Sequence, residues 1–143
     1  MKNEIPSTLT PASAGYDLAL FEEQPKRLLI VDDERVVCDA IARHLRNAGF
    51  ETHVAYSGVT ALELLRDAVF DAALIDIRMP RVTGFQVLEQ LKKGNPDAKA
   101  IMMTAYADIS SAVNSIAQGA EDIISKPIDI DEVVSTVRRC FTV

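Results

Sequence analysis

Each of four short apolar segments in this chain ends at a polar side chain that could take part in a reaction. The polar side chains are, in chain order, Asp32 and Asp33, Asp76, Thr104 and Lys126. If the apolar segments form neighbouring parallel strands, these groups meet at one edge of a sheet. In open α/β sheets the ligand site lies outside the carboxyl ends of the strands, so this edge is the predicted functional site.

The three aspartates in this set predict a cation site. Carboxylates that share one site repel one another unless a positive charge compensates them. Mg²⁺ prefers oxygen ligands, keeps several waters and is commonly held by one or two carboxylates with a phosphate, so the cluster fits Mg²⁺ better than Zn²⁺. His44 and His53 have no partners at metal-ligand spacing and are interpreted as ordinary helix and strand residues.

The same groups are suited to phosphoryl transfer. An aspartate can act as a nucleophile and form an aspartyl phosphate, and this chemistry needs stabilisation of charge more than proton transfer. Thr104 could donate a hydrogen bond to a phosphoryl oxygen, and Lys126 could neutralise charge opposite the metal. For any one residue the alternative is structural, because Asp and Thr often begin helices after strands. The whole set together favours the phosphoryl site.

The elements that must position these groups follow from the hydrophobic pattern after Lys26. Strand-sized apolar segments alternate with helix-sized amphipathic segments, which is the pattern of repeated βαβ units. The pattern predicts five strands and five helices. A parallel sheet needs helices on both faces, and the chain is too short for an eight-stranded barrel, so we expect an open, doubly wound α/β sheet.

Helix ends and apolar faces can be predicted from caps and spacing. The first helix is predicted over 34–48, before Gly49, and the more polar segment 52–56 is predicted to be an edge strand. The predicted N-caps of the second, fourth and fifth helices are Ser57, Asp108 and Asp129. The apolar faces assigned to the five helices are, in order, Val37, Ile41 and Leu45; Leu62, Leu64 and Leu65; Phe85, Val87, Leu88 and Leu91; Ile109, Val113 and Ile116; and Val133, Val134 and Val137.

Composition excludes some classes of function. The formal net charge is −6 and no run of Lys or Arg is dense enough for a nucleic-acid or membrane footprint, so direct DNA binding is not expected. No stretch approaches the roughly 18 to 20 apolar residues of a membrane span, and the first residues lack a basic head before an apolar core, so we expect a cytoplasmic protein.

Cys38 and Cys140 are predicted to be reduced and buried. Residues 1–25, with three prolines and several Ser and Thr, are predicted to be a mostly irregular extension.

Four short motifs lie at the predicted strand ends. They are LIVDDE at 29–34, DIRMPRVTG at 76–84, MTAY at 103–106, and GAED at 119–122 leading to Lys126-Pro127. In this order they resemble the receiver domains of bacterial two-component response regulators. The resemblance runs from about Lys26 to the C-terminus and therefore implies a receiver domain at 26–143. It also implies a flavodoxin-like fold with strand order 2-1-3-4-5.

The resemblance implies a role for each polar group. Asp76 would accept a phosphoryl group from a phosphohistidine on a sensor histidine kinase or a histidine phosphotransfer protein. Asp33 and Asp76 would bind Mg²⁺ with the backbone carbonyl of Arg78, and Asp32 would act mainly through a metal-bound water. The side chains that would contact the phosphoryl group are those of Thr104 and Lys126. Such a protein is a phosphoacceptor with at most slow self-dephosphorylation rather than an enzyme.

Three positions bear on how the signal is used. Many receivers have a Tyr or Phe three residues before the lysine, where this chain has Ile123, and a branched aliphatic side chain has no ring that can swing inward. We hypothesise that phosphorylation is therefore weakly coupled to output. Arg78 and Tyr106 should flank the path by which water reaches the acyl phosphate. They are either bulky shields that slow self-dephosphorylation or ordinary exposed loop side chains.

Several functions stay open at this point. The chain could be a stand-alone regulator that switches protein–protein contacts or the receiver part of a transcription factor, and self-association as a homodimer is also open. A Mg²⁺-dependent phosphatase of the haloacid dehalogenase type also uses an Asp nucleophile. That family needs Asp-x-Asp, however, and Arg78 stands where the second Asp would be. The remaining alternative is a binding module that works without phosphorylation.

Overall fold

The structure of the protein is a computed structural model that describes residues 24–105 and 109–142. Within these residues five strands alternate with five helices. The strands are β1 (Arg27–Val31), β2 (Glu51–Ala55), β3 (Ala72–Asp76), β4 (Lys99–Ala105) and β5 (Asp122–Lys126). The helices are α1 (Arg35–Asn47), α2 (Gly58–Asp67), α3 (Gly84–Gly94), α4 (Ile109–Ala117) and α5 (Ile130–Cys140). The alternation confirms the predicted α/β class.

The five strands form one parallel sheet in the order β2-β1-β3-β4-β5. This order confirms the doubly wound, flavodoxin-like topology. The polar strand β2 lies at an edge, as predicted, whereas every residue of β3 is buried. The winding direction reverses between β1 and β3, and the carboxyl ends of strands at such a reversal form a ligand-binding crevice.

The central strands are apolar on both faces. Packing against helices on both sides holds these strands, and with them the polar residues at their carboxyl ends. In β1, Leu28 and Ile30 belong to a cluster that includes side chains of α1 and α5. Leu29 and Val31 belong to a second cluster on the other face, which includes side chains of α2 and α3. In a parallel sheet that is covered on both faces, the strands have nearly continuous apolar sequences. The strand ends could therefore be located in the sequence.

The helix ends follow the predicted caps where they can be compared. The Ser57 and Asp129 side chains accept hydrogen bonds from backbone N–H groups of the first turns of α2 and α5. Gly49, just after α1, has φ of 104°, a left-handed conformation that favours glycine. Asp108, the predicted N-cap of α4, lies outside the described residues.

The predicted apolar faces of α1, α2, α3 and α5 are confirmed. Their fully or mostly buried members are Ile41, Leu45, Leu65, Val87, Leu88, Leu91, Val133 and Val137. Their half-buried members, which pack against the same clusters, are Val37, Leu62, Leu64, Phe85 and Val134. No helix in the described ranges is both long and apolar enough to cross a membrane.

The predicted apolar face of α4 is wrong. Val113 and Ile116 are 64% and 46% exposed, whereas Ala112 and Ser115 are buried. The Ser115 hydroxyl donates to the Ser111 carbonyl at 3.0 Å, so its burial leaves no unsatisfied donor. Small side chains therefore face the sheet and branched apolar side chains face outward. The Ile109 side chain lies outside the described residues.

Both cysteine thiols are free, as predicted. Cys38 is buried, and burial together with the nearby Asp32 carboxylate raises the pKa of its thiol to about 12. Cys140 is half-buried, so the prediction of full burial is wrong there. Burial also raises the pKa of Cys140. Thiols of this kind stay protonated and are poor nucleophiles.

Candidate functional site

The register of the sheet brings the predicted site residues to one edge. The pairing of β1 with β3 makes their two aspartate-bearing ends neighbours. The pairing of β3 with β4 sets Asp76 beside Met103, one residue before Thr104. The pairing of β4 with β5 sets Lys126 beside Ala105, one residue after Thr104. The polar groups that the sequence places at separate strand ends therefore share one site.

Three carboxylates form the centre of this site. Asp32, Asp33 and Asp76 each offer an oxygen, and these oxygens lie within 4.8 Å of one another. Asp32 is fully buried and Asp76 is 6% exposed, whereas Asp33 is exposed. The Glu34 backbone N–H donates to Asp32 Oδ1 at 3.0 Å, which orients that carboxylate.

Burial and the neighbouring Asp32 carboxylate raise the pKa of Asp76 to about 6. The Lys126 ammonium and a backbone hydrogen bond from Arg78 act in the opposite direction but do not cancel the rise. Ionised Asp76 is thus held in a site that disfavours negative charge. A further positive charge at this edge of the sheet would be stabilising.

Lys126 is the cation of the site. Its side chain is 17% exposed, and Nζ lies 2.8 Å from Asp32 Oδ2, 3.0 Å from Glu34 Oε1 and 3.4 Å from Asp76 Oδ2. Burial by itself would lower the pKa of Lys126, but these ion pairs outweigh it and raise the pKa above its ordinary value. The ammonium is therefore charged at neutral pH.

The donor set fits a hard divalent cation. Asp32 Oδ2 is buried and accepts no hydrogen bond of good geometry from the described residues, although Lys126 is close to it. Mg²⁺ takes carboxylate oxygens and retains waters, and exposed Asp33 leaves one side of the cluster open to solvent. His44 and His53 do not belong to this cluster: their ring nitrogens lie 2.8 Å from a backbone carbonyl and 2.8 Å from a glutamate, respectively.

Thr104 lies at the site, but its hydroxyl is engaged elsewhere. The side chain is buried, and Oγ1 donates to the Ala105 carbonyl at 3.1 Å. The hydroxyl is thus paired with its own strand end and makes no hydrogen bond to Asp76 among those that the described residues show. A role toward a ligand on Asp76 requires the Thr104 hydroxyl to give up its bond to the Ala105 carbonyl.

Two residues at the site were missed by sequence reasoning. Gly84, the first residue of α3, lies against the backbone of Asp76, and a β carbon there would overlap the Asp76 carbonyl oxygen. Its N–H donates to the Ile77 carbonyl at 3.0 Å, which fastens the loop after β3 to the strand end. Glu34 contacts Lys126. The sequence contains a signal for each of them. Gly84 is a glycine at the start of a predicted helix, and Glu34 is an acidic residue directly after Asp32 and Asp33.

Two of the three residues predicted to modulate the site belong to the described part of the chain. Ile123 is half-buried and packs against the apolar cluster that includes Phe85. Arg78 is exposed in the loop after β3. Tyr106 lies outside the described residues, so its predicted position beside the site stays a prediction.

Comparison with known proteins identifies the family. The model of the response regulator receiver domain matches residues 28–138. The regulatory protein AtoC of Escherichia coli (strain K12) is 42% identical over 115 residues, which are 80% of this chain and 25% of that protein. The transcriptional regulatory protein ZraR of Klebsiella oxytoca is 37% identical over 114 residues, which are 80% of this chain and 26% of that protein. The chain therefore spans about a quarter of the length of these curated relatives.

Solved structures share the fold. A response regulator receiver domain protein (CheY-like) from Methanospirillum hungatei JF-1 aligns with a TM-score of 0.75 and 32% identity over 80% of this chain and 92% of that chain. NtrX from Brucella abortus, crystallised in complex with ATP, aligns with a TM-score of 0.75 and 31% identity over 80% of this chain and 26% of that chain. A phosphoacceptor role is typical of this family. By sheet order, acidic site and sequence match, the chain belongs to the receiver domains of two-component response regulators.

Proposed function

We propose that Asp76 is the phosphoacceptor of this receiver domain and takes its phosphoryl group from a phosphohistidine on a sensor histidine kinase or a histidine phosphotransfer protein. An Asp76 carboxylate oxygen forms the new bond to phosphorus while the phosphorus–nitrogen bond to histidine breaks, and its electron pair stays on the imidazole. The observation that carries this proposal is the position of Asp76, which is buried beside the Asp32 carboxylate and lies 3.4 Å from the Lys126 ammonium at the ligand-binding edge of the sheet.

The proposed cofactor is Mg²⁺, held by Asp33, Asp76 and the backbone carbonyl of Arg78, with Asp32 acting through a metal-bound water. The cluster of three carboxylates supports this assignment. The raised pKa of Asp76 supports it as well, because burial and the neighbouring Asp32 carboxylate both disfavour the ionised form that a bound cation would stabilise. When bound, the cation neutralises charge on the phosphoryl oxygens and on the carboxylates.

Thr104 and Lys126 are the proposed contacts of the phosphoryl group. The Lys126 ammonium lies 3.4 Å from Asp76 Oδ2, within reach of a group carried by that carboxylate. Thr104 has to exchange its hydrogen bond to the Ala105 carbonyl for one to a phosphoryl oxygen. That exchange is the local change by which phosphorylation alters the end of β4.

A protein phosphodonor needs a surface beside Asp76. An apolar groove of about 400 Å³ adjoins Lys126 and is lined by α1 and by the segment that leads into α5. Val36, on the groove wall, is 82% exposed. We propose this groove as the surface on which the histidine-bearing partner docks, and Val36→Glu should slow phosphotransfer from that partner without slowing reaction with a small phosphodonor.

The proposed output is a change in protein–protein contacts. A complete switch from 1:99 to 99:1 requires a difference of roughly 5.5 kcal/mol between the two conformations, which is demanding for one hydroxyl and one ammonium, so a partial shift is expected. The similarity to receiver parts of transcription regulators supports a receiver within a longer transcription factor over a stand-alone regulator. The length of the native reading frame decides between them.

Four further assignments belong to the same proposal. Residues 26–143 act as the receiver unit, residues 1–25 as an extension, and the protein works in the cytoplasm as a phosphoacceptor rather than as a turnover enzyme. Arg78 and Tyr106 slow self-dephosphorylation by shielding the acyl phosphate. The exposure of Arg78 in the loop after β3 supports this role, and an unchanged phosphoryl half-life in Arg78→Ala and Tyr106→Ala would contradict the shielding.

The test is incubation with acetyl phosphate and Mg²⁺ followed by intact-mass measurement. Wild type should gain the mass of one phosphoryl group, Asp76→Ala should gain none, and Asp97→Ala, which changes an exposed aspartate in a turn, should behave as wild type. If wild type takes up no phosphoryl group while a known receiver reacts in the same solution, the proposal is wrong. Steady turnover of a general phosphate ester would instead favour a phosphatase.

A further inference from the structure

We infer that Glu34 is a positioning residue that holds the Lys126 ammonium away from the incoming phosphoryl group, so that phosphorylation of Asp76 must displace this contact. The inference rests on the proposed function of Asp76 as phosphoacceptor. It concerns a side chain that is neither one of the three clustered carboxylates nor a proposed phosphoryl contact.

The contacts of Lys126 are unequal. Its ammonium lies 2.8 Å from Asp32, 3.0 Å from Glu34 and 3.4 Å from Asp76, so the acceptor carboxylate is the most distant of the three. The contact with Glu34 has good hydrogen-bond geometry, whereas Asp32 Oδ2 accepts no such bond from the described residues. One of the three ammonium donors is therefore directed at Glu34, while the acceptor carboxylate has the longest contact of the three.

The Glu34 side chain bonds to Lys126 instead of capping its own helix. Glu34 occupies the N-cap position of α1, yet its side chain makes no capping hydrogen bond. N-cap side chains usually accept from the first turn of the helix. The Glu34 carboxylate reaches instead to Lys126, which is 92 residues away in the sequence. It is 61% exposed, against 17% for Lys126, and so lies on the solvent side of the ammonium.

Competition for the ammonium follows from this arrangement. A phosphoryl group on Asp76 brings oxygens that need the Lys126 ammonium, and each donor given to Glu34 is not available to them. Exposed and partly exposed ion pairs are weak, so the contact delays the reaction without blocking it. Loss of the contact should therefore raise the rate of phosphorylation by about two- to fivefold.

The rate of phosphorylation by acetyl phosphate with Mg²⁺, followed by intact mass, tests the inference. Glu34→Gln keeps the length and removes the charge, and it should react faster. Glu34→Asp keeps the charge but is shorter, and Asp is a favoured N-cap whose carboxylate turns to the helix, so it should also react faster. Glu132→Gln, at an exposed position of α5, makes the same change in net charge and should react as wild type does.

Two patterns of altered rate overturn the role of Glu34. One is a rate that follows net charge alone, with Glu34→Gln and Glu132→Gln equally fast and Glu34→Asp unchanged. The other is an effect of Glu34→Gln that persists in a Lys126→Met background, where there is no ammonium to release. If wild type reacts and every Glu34 variant matches it, the inference alone fails. If wild type does not react at all, the proposed function of Asp76 fails, and the inference fails with it.

Discussion

Gly84 lies so close to Asp76 that a β carbon at position 84 would overlap the Asp76 carbonyl oxygen and stand 2.8 Å from the Ile77 Cα. Both neighbours are backbone atoms that cannot turn aside. Gly84→Ala should therefore push the loop after β3 away from the strand end and lower the free energy of unfolding by about 1 to 3 kcal/mol. Urea denaturation measures this loss, and the rate of reaction with acetyl phosphate should fall with it.

Gly94, at the other end of the same helix, provides the control. No atom of residues 24–105 or 109–142 lies within 4 Å of a β carbon built there. Gly94→Ala should leave the phosphorylation rate unchanged and leave stability unchanged or raise it by up to about 1 kcal/mol, because alanine favours helix. Equal losses in the two variants would contradict the close approach at Gly84.

Asp76→Asn should change how stability depends on pH. The pKa of Asp76 is raised to about 6 in the folded protein, above its ordinary value of 3.8, so the group stabilises the fold while protonated and loses that contribution as pH rises from about 4 through 6. Asn stays neutral throughout. Without Mg²⁺, the variant should exceed wild type in unfolding free energy at pH 7 by about 1 to 2 kcal/mol, less than a full shift would give because the substitution also removes the ion pair with Lys126. The gap should close near pH 4.

Mg²⁺ provides an independent check on the same variant. Binding to the folded state stabilises a protein in proportion to the logarithm of the ligand concentration above its dissociation constant. Added Mg²⁺ should raise the unfolding midpoint of wild type at pH 7 and raise that of Asp76→Asn much less. Asp97→Asn should follow wild type in both experiments, and a stability gain in this variant as large as that of Asp76→Asn would argue against a site-specific effect.

Thr104→Val should affect the resting protein little and weaken the binding of a phosphoryl mimic much more. Valine matches threonine in shape, and the hydroxyl bond seen among the described residues goes to the adjacent Ala105 carbonyl, so stability should fall by about 1 kcal/mol or less. Affinity for a phosphoryl mimic such as beryllium trifluoride should fall by about tenfold, since a hydrogen bond to a charged group is lost. Thr104→Ser keeps the hydroxyl and should retain most of that affinity, as titration followed by NMR can show.

Ile123→Tyr should increase the response to phosphorylation. Ile123 is half-buried against an apolar cluster and has no ring that can move between exposed and buried positions. With tyrosine there, a phosphoryl mimic should produce a larger change in amide hydrogen exchange of α4 and a larger gap in partner affinity. Ile123→Leu is the matched control. An unchanged gap in the tyrosine variant would contradict the weak coupling that Ile123 is expected to cause.

The strand ends could be predicted from the sequence because the central strands are buried on both faces. Their apolar segments run without interruption until Asp32, Asp76 and Thr104, so the change to polar residues marks the edge of the sheet. The motifs around these residues then indicated the family. The grouping of the polar residues into one site could also be predicted, because parallel pairing places successive strand ends at the same edge.

Other features depend on contacts that no local pattern contains. Glu34 and Lys126 are 92 residues apart, and only the folded sheet brings them together. Arg81 has φ of 68°, although nothing about an arginine indicates a left-handed turn. The face of α4 was mistaken because apolar spacing was taken as burial, whereas the sheet there accepts the small side chains of Ala112 and Ser115.

The inverted polarity of α4 has an energetic consequence. Among the described side chains of 110–117, the buried ones are Ala112 and Ser115, which contribute little apolar area, while Val113 and Ile116 face outward. Lifting or turning this helix therefore sacrifices less hydrophobic free energy than moving α1 or α5 would. Opening of α4 should lie at the low end of the local unfolding spectrum of the domain. A modest free energy, of the size that one relocated hydroxyl and one relocated ammonium supply, is then enough to shift the population of α4 conformations.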